Sequence, residues 1–462
     1  MRGSPFVGDA AMADGLPVRG PYSHEEEPMK NSVCVEADLL IPGKGDPIKD
    51  GCIVVEGNKI KEVGTSTQLA KTYSHLPKYH VKVLMPGMWD CHVHFIAVQR
   101  VAWDAILESA QKMVLTGARC APDLARLLDA GFTSVREMGG FGIQLDQAVE
   151  EGSLVGPKIY SSNSIIRSNE TDSPTGGHAD LHPLPKPWFD DLCHHGSPFQ
   201  TADGIPECLK TVRMQLRAGA KVIKICASGG VGSELDNPID QQFSDEEIKA
   251  MVDEAARSQR IVGAHCHGKA GIMAALRAGV KTIEHGSYLD EEAAELMIEK
   301  DAILVATRLI VENGLQSKDY FSPVGYAKLR LVAEAQWKAM QIAISKGVKC
   351  AIGTDSAGTL TPGNPLSKLV RQGLNGKELG YHVKAGMTPL QAIEAATATG
   401  PLTLGPQAPK AGQLREGYDA DFIGLDANPL DDIGVLSSPR HVTHVWKRGI
   451  MYKSPGHPVG LI

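Results

Sequence analysis

The chain has 462 residues, of which 42% are hydrophobic and 22% charged, and its net charge is −7. That length suits a large barrel with a smaller appendage, and an acidic balance without a Lys/Arg run argues against a nucleic-acid surface. No apolar run approaches a membrane span, and nine cysteines without a CxxC pair read as a reduced, intracellular chain rather than a disulfide scaffold.

Residues 1–30 are interrupted by Gly, Pro and acidic side chains, so they hold no signal-peptide core. They read as a disordered leader outside the fold. A cytoplasmic enzyme is the expectation, with secretion left open. Residues 31–83 read as short strands, including a pair joined at Gly57-Asn58, a turn dipeptide. The C-terminal stretch 402–462 looks alike: 421–425 and 444–452 are again strand candidates. Two β-rich ends predict one composite β-sandwich built from both termini.

Residues 84–401 alternate differently, with short apolar strands each followed by a helical stretch, as in parallel α/β proteins. Eight strand candidates end near His92-Val93-His94, Arg136-Glu137, Ser162-Asn163, Lys224-Ile225, His265-Cys266-His267, Glu284-His285, Ala306-Thr307 and Thr354-Asp355. One intervening helix is placed from Asp245 to Ser258 by a Ser244 cap and its three/four apolar spacing. Eight βα units predict an α/β fold of the (β/α)8 TIM-barrel type. A doubly wound sheet is disfavoured, because no Gly-rich phosphate loop follows the first strand. Residues 167–208 exceed an ordinary βα connection and read as a functional lid.

The chemistry sits at those strand ends. His92 and His94 are two apart, so on a strand both imidazoles face one way; alone, the pair is equally consistent with two unrelated strand histidines. Asp90 shares their phase and reads as a supporting group. His265, His267, His285, Asp355 and Lys224 end other strands, and functional residues of barrels gather at this C-terminal rim. Imidazoles and a carboxylate there suit zinc or a similar divalent ion. A lysine among such groups is unexpected, because an ammonium repels a cation. Alternation places Lys221 and Lys224 on opposite faces, and Lys224 is nearer the rim. Carbamylation by CO2 would turn it into a carboxylate. Cys91 and Cys266 lie between site histidines in phase with the opposite face and read as core residues rather than nucleophiles.

The set Asp90-Cys91-His92-Val93-His94, Val222-Ile223-Lys224, Ala264-His265-Cys266-His267-Gly268, Ile283-Glu284-His285-Gly286 and Gly353-Thr354-Asp355 resembles the amidohydrolase superfamily. The likeness is to the subgroup with a carboxylated lysine and two metals, in the branch of ochratoxinase-like enzymes and prolidase-like carboxypeptidases. Residues 219–224, 267–275, 405–409, 412–417 and 444–447 carry that branch likeness, which spans about residues 32–453. It implies two divalent ions, with zinc fitting the donors. His92, His94 and Asp355 would hold the buried ion, His265 and His285 the exposed one, and Lys224, as N6-carboxylysine, would bridge them. His267 and His178 would face the substrate, with Asp355, His267 and His178 acting in catalysis. Tyr288 resembles a position that meets the substrate carboxylate, although a packed aromatic fits equally.

The implied reaction is attack by a metal-bridging hydroxide on an amide bond to an amino acid. The substrate would be an ochratoxin-type aryl amide, an N-acyl amino acid or a dipeptide, with a free carboxylate. A mononuclear ring deaminase or cyclic-amide hydrolase of the same superfamily is the alternative. The resemblance also implies a homo-oligomer, with an octamer as its form. The 167–208 stretch, with Trp188-Phe189 and His194-His195, departs from the branch pattern, as do the segments after Thr307 and Asp355, which leaves substrate identity open.

Overall fold

The computed structural model describes residues 32–98, 108–168, 198–233, 236–358 and 371–460. The stretch 1–30 read above as a leader, His178, Trp188-Phe189 and His194-His195 lie outside the described residues. The N-terminal strands are β1 (Ser32–Leu40), β2 (Ile48–Glu56), β3 (Lys59–Thr65) and β4 (Lys78–Pro86). Next come β5 (Met88–Val98), β6 (Phe132–Glu137), β7 (Lys158–Ser161), β8 (Ile165–Arg167), β9 (Phe199–Thr201) and β10 (Ile223–Cys226). The chain continues through β11 (Val262–Cys266), β12 (Thr282–His285), β13 (Ile303–Val305), β14 (Lys349–Cys350) and β15 (Ser356–Gly358). Then come β16 (Phe422–Leu425), β17 (Val442–Lys447) and β18 (Ile450–Lys453).

Both ends of the chain build one seven-stranded sheet, in the order β18-β17-β16-β4-β1-β2-β3. Its knot is β4, which runs parallel to β1 and antiparallel to β16, pairing Met85 with Ile423. The hairpin expected at Gly57-Asn58 is present, with Glu56 opposite Lys59. Gly57 has φ 60°, the left-handed region that glycine enters without Cβ strain. Val33, Val35, Ile53, Val55, Phe422 and Trp446 share one buried cluster, so apolar side chains from both termini make a common core.

The middle of the chain forms two parallel sheets, β15-β5-β6-β7 and β14-β13-β12-β11-β10-β8-β9. They meet at two seams. At one, the Cys91 amide donates to the Ile352 carbonyl at 2.7 Å, and the Asp355 amide to the His92 carbonyl at 2.7 Å. At the other, the Lys221 amide donates to the Ser161 carbonyl at 2.8 Å. The succession β5, β6, β7, β10, β11, β12, β13, β14 is TIM-barrel-like, as the eight strand candidates predict.

Helices pack outside these strands. The helix Asp245–Ala256 starts at Ser244 with a reciprocal cap: Ser244 Oγ accepts from the Glu247 amide, and Glu247 Oε2 accepts from the Ser244 amide. Ile248, Met251 and Ala255, at three/four spacing, bury against Val262, Ala264 and Cys266 of β11. Ser244→Ala is expected to destabilise the fold by about 1 kcal/mol, the usual worth of an N-cap side chain, read as a lower urea midpoint at constant slope. No helix among the described residues is long and apolar enough to cross a membrane.

Candidate metal centre

The strand ends converge as the motif spacing requires. On β5, His92 and His94 project to one face with ring centroids 5.2 Å apart. Between Asp90 and Val93 the register against β6 shifts, so the strand bends at the motif. Asp90 points away from the ring pair. Its carboxylate accepts from the His92 and Thr354 amides, from Thr354 Oγ1 and from Asn375 Nδ2. It thereby ties β5 to the strand end that carries Asp355, as a supporting group. Burial pushes the Asp90 carboxyl up to about 6 against those donors.

Asp355 follows the last barrel strand and faces both rings. Its Oδ1 lies 3.0 Å from His94 Nε2 and 3.6 Å from His92 Nε2. Ligand atoms of His92, His94 and Asp355 all lie within 4.8 Å of one another. His92 is buried, whereas His94 and Asp355 retain partial exposure, so the cluster opens on the Asp355 side. Burial pushes Asp355 up, but the hydrogen bond from His94 and the charges of both histidines and Lys224 outweigh it and hold the carboxyl low. Burial and the Lys224 charge push His92 down to about 4, against the Glu284 carboxylate.

Three further histidines continue the cluster. Ring centroids are 4.6 Å apart for His265 and His267, 4.6 Å for His265 and His285, and 5.2 Å for His285 and His92. His285, Thr307 and Asp355 take φ values of 68°, 56° and 57°. Such backbone costs about 1–3 kcal/mol per non-glycine residue and concentrates at functional sites. The second nitrogen of most rings is engaged: His92 Nδ1 with Glu284 Oε2 at 2.8 Å, His94 Nδ1 with the Gly139 carbonyl at 2.7 Å and His285 Nδ1 with Thr307 Oγ1 at 2.7 Å. His267 Nδ1 meets Ser287 Oγ at 2.7 Å, and its amide donates to Ser228 Oγ at 2.8 Å. His265 is turned the other way, with Nε2 3.0 Å from the Gly229 carbonyl. Outer partners of this kind orient imidazoles that ligate metals.

Lys224, on β10, is 2% exposed, and its Nζ has no hydrogen-bond partner, whereas Lys221 is exposed. Lys224 lies close enough for its charge to act on His92, His94, His285 and Asp355 alike. Its own ammonium is disfavoured by burial. An unpaired buried amine costs several kcal/mol, so Lys224 is an expensive residue to keep at this position. Tyr288 is half-buried, and its amide donates to the His267 carbonyl at 2.9 Å. Cys91 and Cys266 are buried in core clusters away from the rings, as expected.

The motif reading left one pair without a role. Glu284 and Arg136 are wholly buried beneath the rings and ion-paired at 2.7 Å. Glu284 was visible beside His285, and alternation puts it on the opposite side of the strand from that residue. Its ring partner comes from a strand 192 residues away.

A parallel α/β barrel with histidines, a lysine and a carboxylate on its C-terminal rim places the chain among the barrel hydrolases. It belongs to the amidohydrolase family, whose sequence profile matches residues 83–451. It is 45% identical over 437 residues to the ochratoxinase of Aspergillus niger, covering 91% of this chain and 87% of that protein. The crystal structure of A. niger ochratoxinase superposes with TM-score 0.80 at 42% identity, covering 93% of this chain and 98% of that one. A prolidase complexed with N-methylphosphonate-L-proline gives TM-score 0.80 at 29% identity, covering 92% of this chain and all of that one. A Xaa-Pro dipeptidase with bound methionine in its active site gives 0.75 at 28%, with the same coverage.

Proposed function

We propose that the chain is a binuclear metal-dependent amidohydrolase that cleaves an amide bond to an amino acid bearing a free carboxylate. The observation that carries this reading is Lys224: a buried amine without a partner, within electrostatic reach of His92, His94, His285 and Asp355. As N6-carboxylysine it becomes a bidentate anion. His92, His94 and Asp355 would then hold one divalent ion, His265 and His285 the other, and Lys224 both. Zinc suits these nitrogen and oxygen donors. When bound, such ions acidify water and polarise a carbonyl.

The chain's own groups supply the rest. Asp355, open to solvent on one side, accepts the proton of the attacking water and returns it to the leaving amine, which is otherwise a poor leaving group. His267, steadied by Ser287 and Ser228, donates to the substrate carbonyl. Tyr288 and His178 are the candidates to hold the substrate carboxylate. The names of the relatives, an ochratoxinase and an Xaa-Pro dipeptidase, support an ochratoxin-type aryl amide or a dipeptide as substrate, with N-acyl amino acids as simple analogues. The proposal extends to a homo-oligomeric assembly.

A mononuclear ring hydrolase would use the His92–His94–Asp355 cluster and would have no role for Lys224. Metal analysis of the purified chain is expected to return two divalent ions. Hydrolysis of carbobenzoxy-amino acids and of ochratoxin A should stop on chelation and resume when metal is restored. Turnover that survives thorough chelation would sink the reading.

A further inference from the structure

We propose that Arg136 and Glu284 act as a positioning relay that fixes the tautomer of His92 and so decides which ring nitrogen is left for a cation. The relay matters to the reaction only if His92 ligates, as proposed above, but its own test does not depend on that. Glu284 Oε1 is occupied twice, by Arg136 Nη2 at 2.7 Å and by Thr282 Oγ1 at 2.5 Å. Glu284 Oε2 lies 2.8 Å from His92 Nδ1. Arg136 is itself fixed on three sides: Nε donates to the Cys91 carbonyl at 2.6 Å, and Nη1 donates to Thr282 Oγ1 at 3.0 Å and to the Thr403 carbonyl at 3.3 Å. Arg136, Glu284 and His92 are all at most 1% exposed, so solvent does not compete for any link.

The direction of the bonds follows from donor chemistry. An ionised carboxylate only accepts, and the guanidinium favours the ionised form. The proton must therefore sit on Nδ1 of His92. The neutral ring then carries its lone pair on Nε2, the nitrogen that faces Asp355 Oδ1 at 3.6 Å. Asp90 cannot replace Glu284 here, because it accepts from the His92 backbone amide and not from the ring.

Glu284→Gln separates this role from mere packing, because it keeps the shape and changes the donors. The amide oxygen must face Arg136 and Thr282, since an amide NH2 there would meet a guanidinium. The NH2 then faces Nδ1 of His92 and donates to it. That forces the ring proton onto Nε2 and removes the lone pair a cation needs.

Two measurements test the relay. In native protein stripped of metal and labelled with 15N-histidine, the His92 ring at pH 8 is expected as the Nδ1–H tautomer; an Nε2–H ring overturns the relay, and this holds even if Glu284→Gln does not fold. In Glu284→Gln the pattern should reverse, and the apparent Kd for zinc by chelator competition should weaken about 10–100-fold, as for other outer partners of ligating histidines. Equal affinity in a variant whose tautomer has reversed would show that His92 does not ligate and would overturn the functional reading, while the relay stands. A native chain that binds no metal fails the functional reading, while the tautomer still decides the relay.

Discussion

Lys224→Ala is expected to leave a folded chain that no longer holds two divalent ions and turns over at least about 10²–10³-fold more slowly, the usual loss when one preorganised charge-stabilising group is removed. The lysine is the side chain whose charge reaches both parts of the cluster. Alanine has no amine to add to CO2, so no carboxylate can replace it. Stability should respond in the opposite sense. The wild-type amine is buried without a partner, and removing such a group relieves a desolvation cost, so the metal-free variant should unfold at an equal or higher urea concentration. Metal content by mass spectrometry, kcat/KM and urea midpoints read the three expectations together. A variant with one ion per chain and unimpaired turnover would turn the reading toward the mononuclear alternative.

Arg136→Met is expected to cost about 3–5 kcal/mol of folding stability, the range for breaking one side of a buried ion pair. The loss comes less from the bonds removed than from what remains. Glu284, wholly buried, would keep only Thr282 and His92 as partners, and the Cys91 and Thr403 carbonyls would lose their donor. A double variant with Glu284→Leu should recover part of the loss, because both charges then leave the core together. Urea unfolding of the metal-free proteins measures both; a single-variant loss below about 1 kcal/mol, the scale of an exposed ion pair, would show that the pair is solvated in solution.

These two residues also mark where sequence reading succeeds and where it stops. Lys224 is legible because strand alternation separates it from Lys221 and because the other strand ends supply its company. His92 and His94 are legible by the same period of two, and the helix at 245–256 by the Ser244 cap. The Gly57-Asn58 hairpin needs only a local turn. Arg136 and Glu284 are different. Each sits on a strand whose own pattern is ordinary, and they meet only because β6 and β12 face one another through the barrel interior, 148 residues apart in the chain. No local period encodes that juxtaposition. Likewise the β-rich character of both termini is readable and predicts that they join, but the pairing through which they do so, β16 beside β4, is a tertiary choice.

That merger bears on how the protein is made. During synthesis, β1 to β4 emerge first and can pair among themselves, yet the β4 edge that will receive β16 must wait for more than three hundred further residues. Closing so long a loop is entropically slow rather than prohibitive. In the interval an apolar strand edge stands open, and open edges invite pairing with other chains. Assembly from the ribosome is therefore most exposed to aggregation at the N-terminal sheet, until Phe422 and Ile423 arrive to cover it.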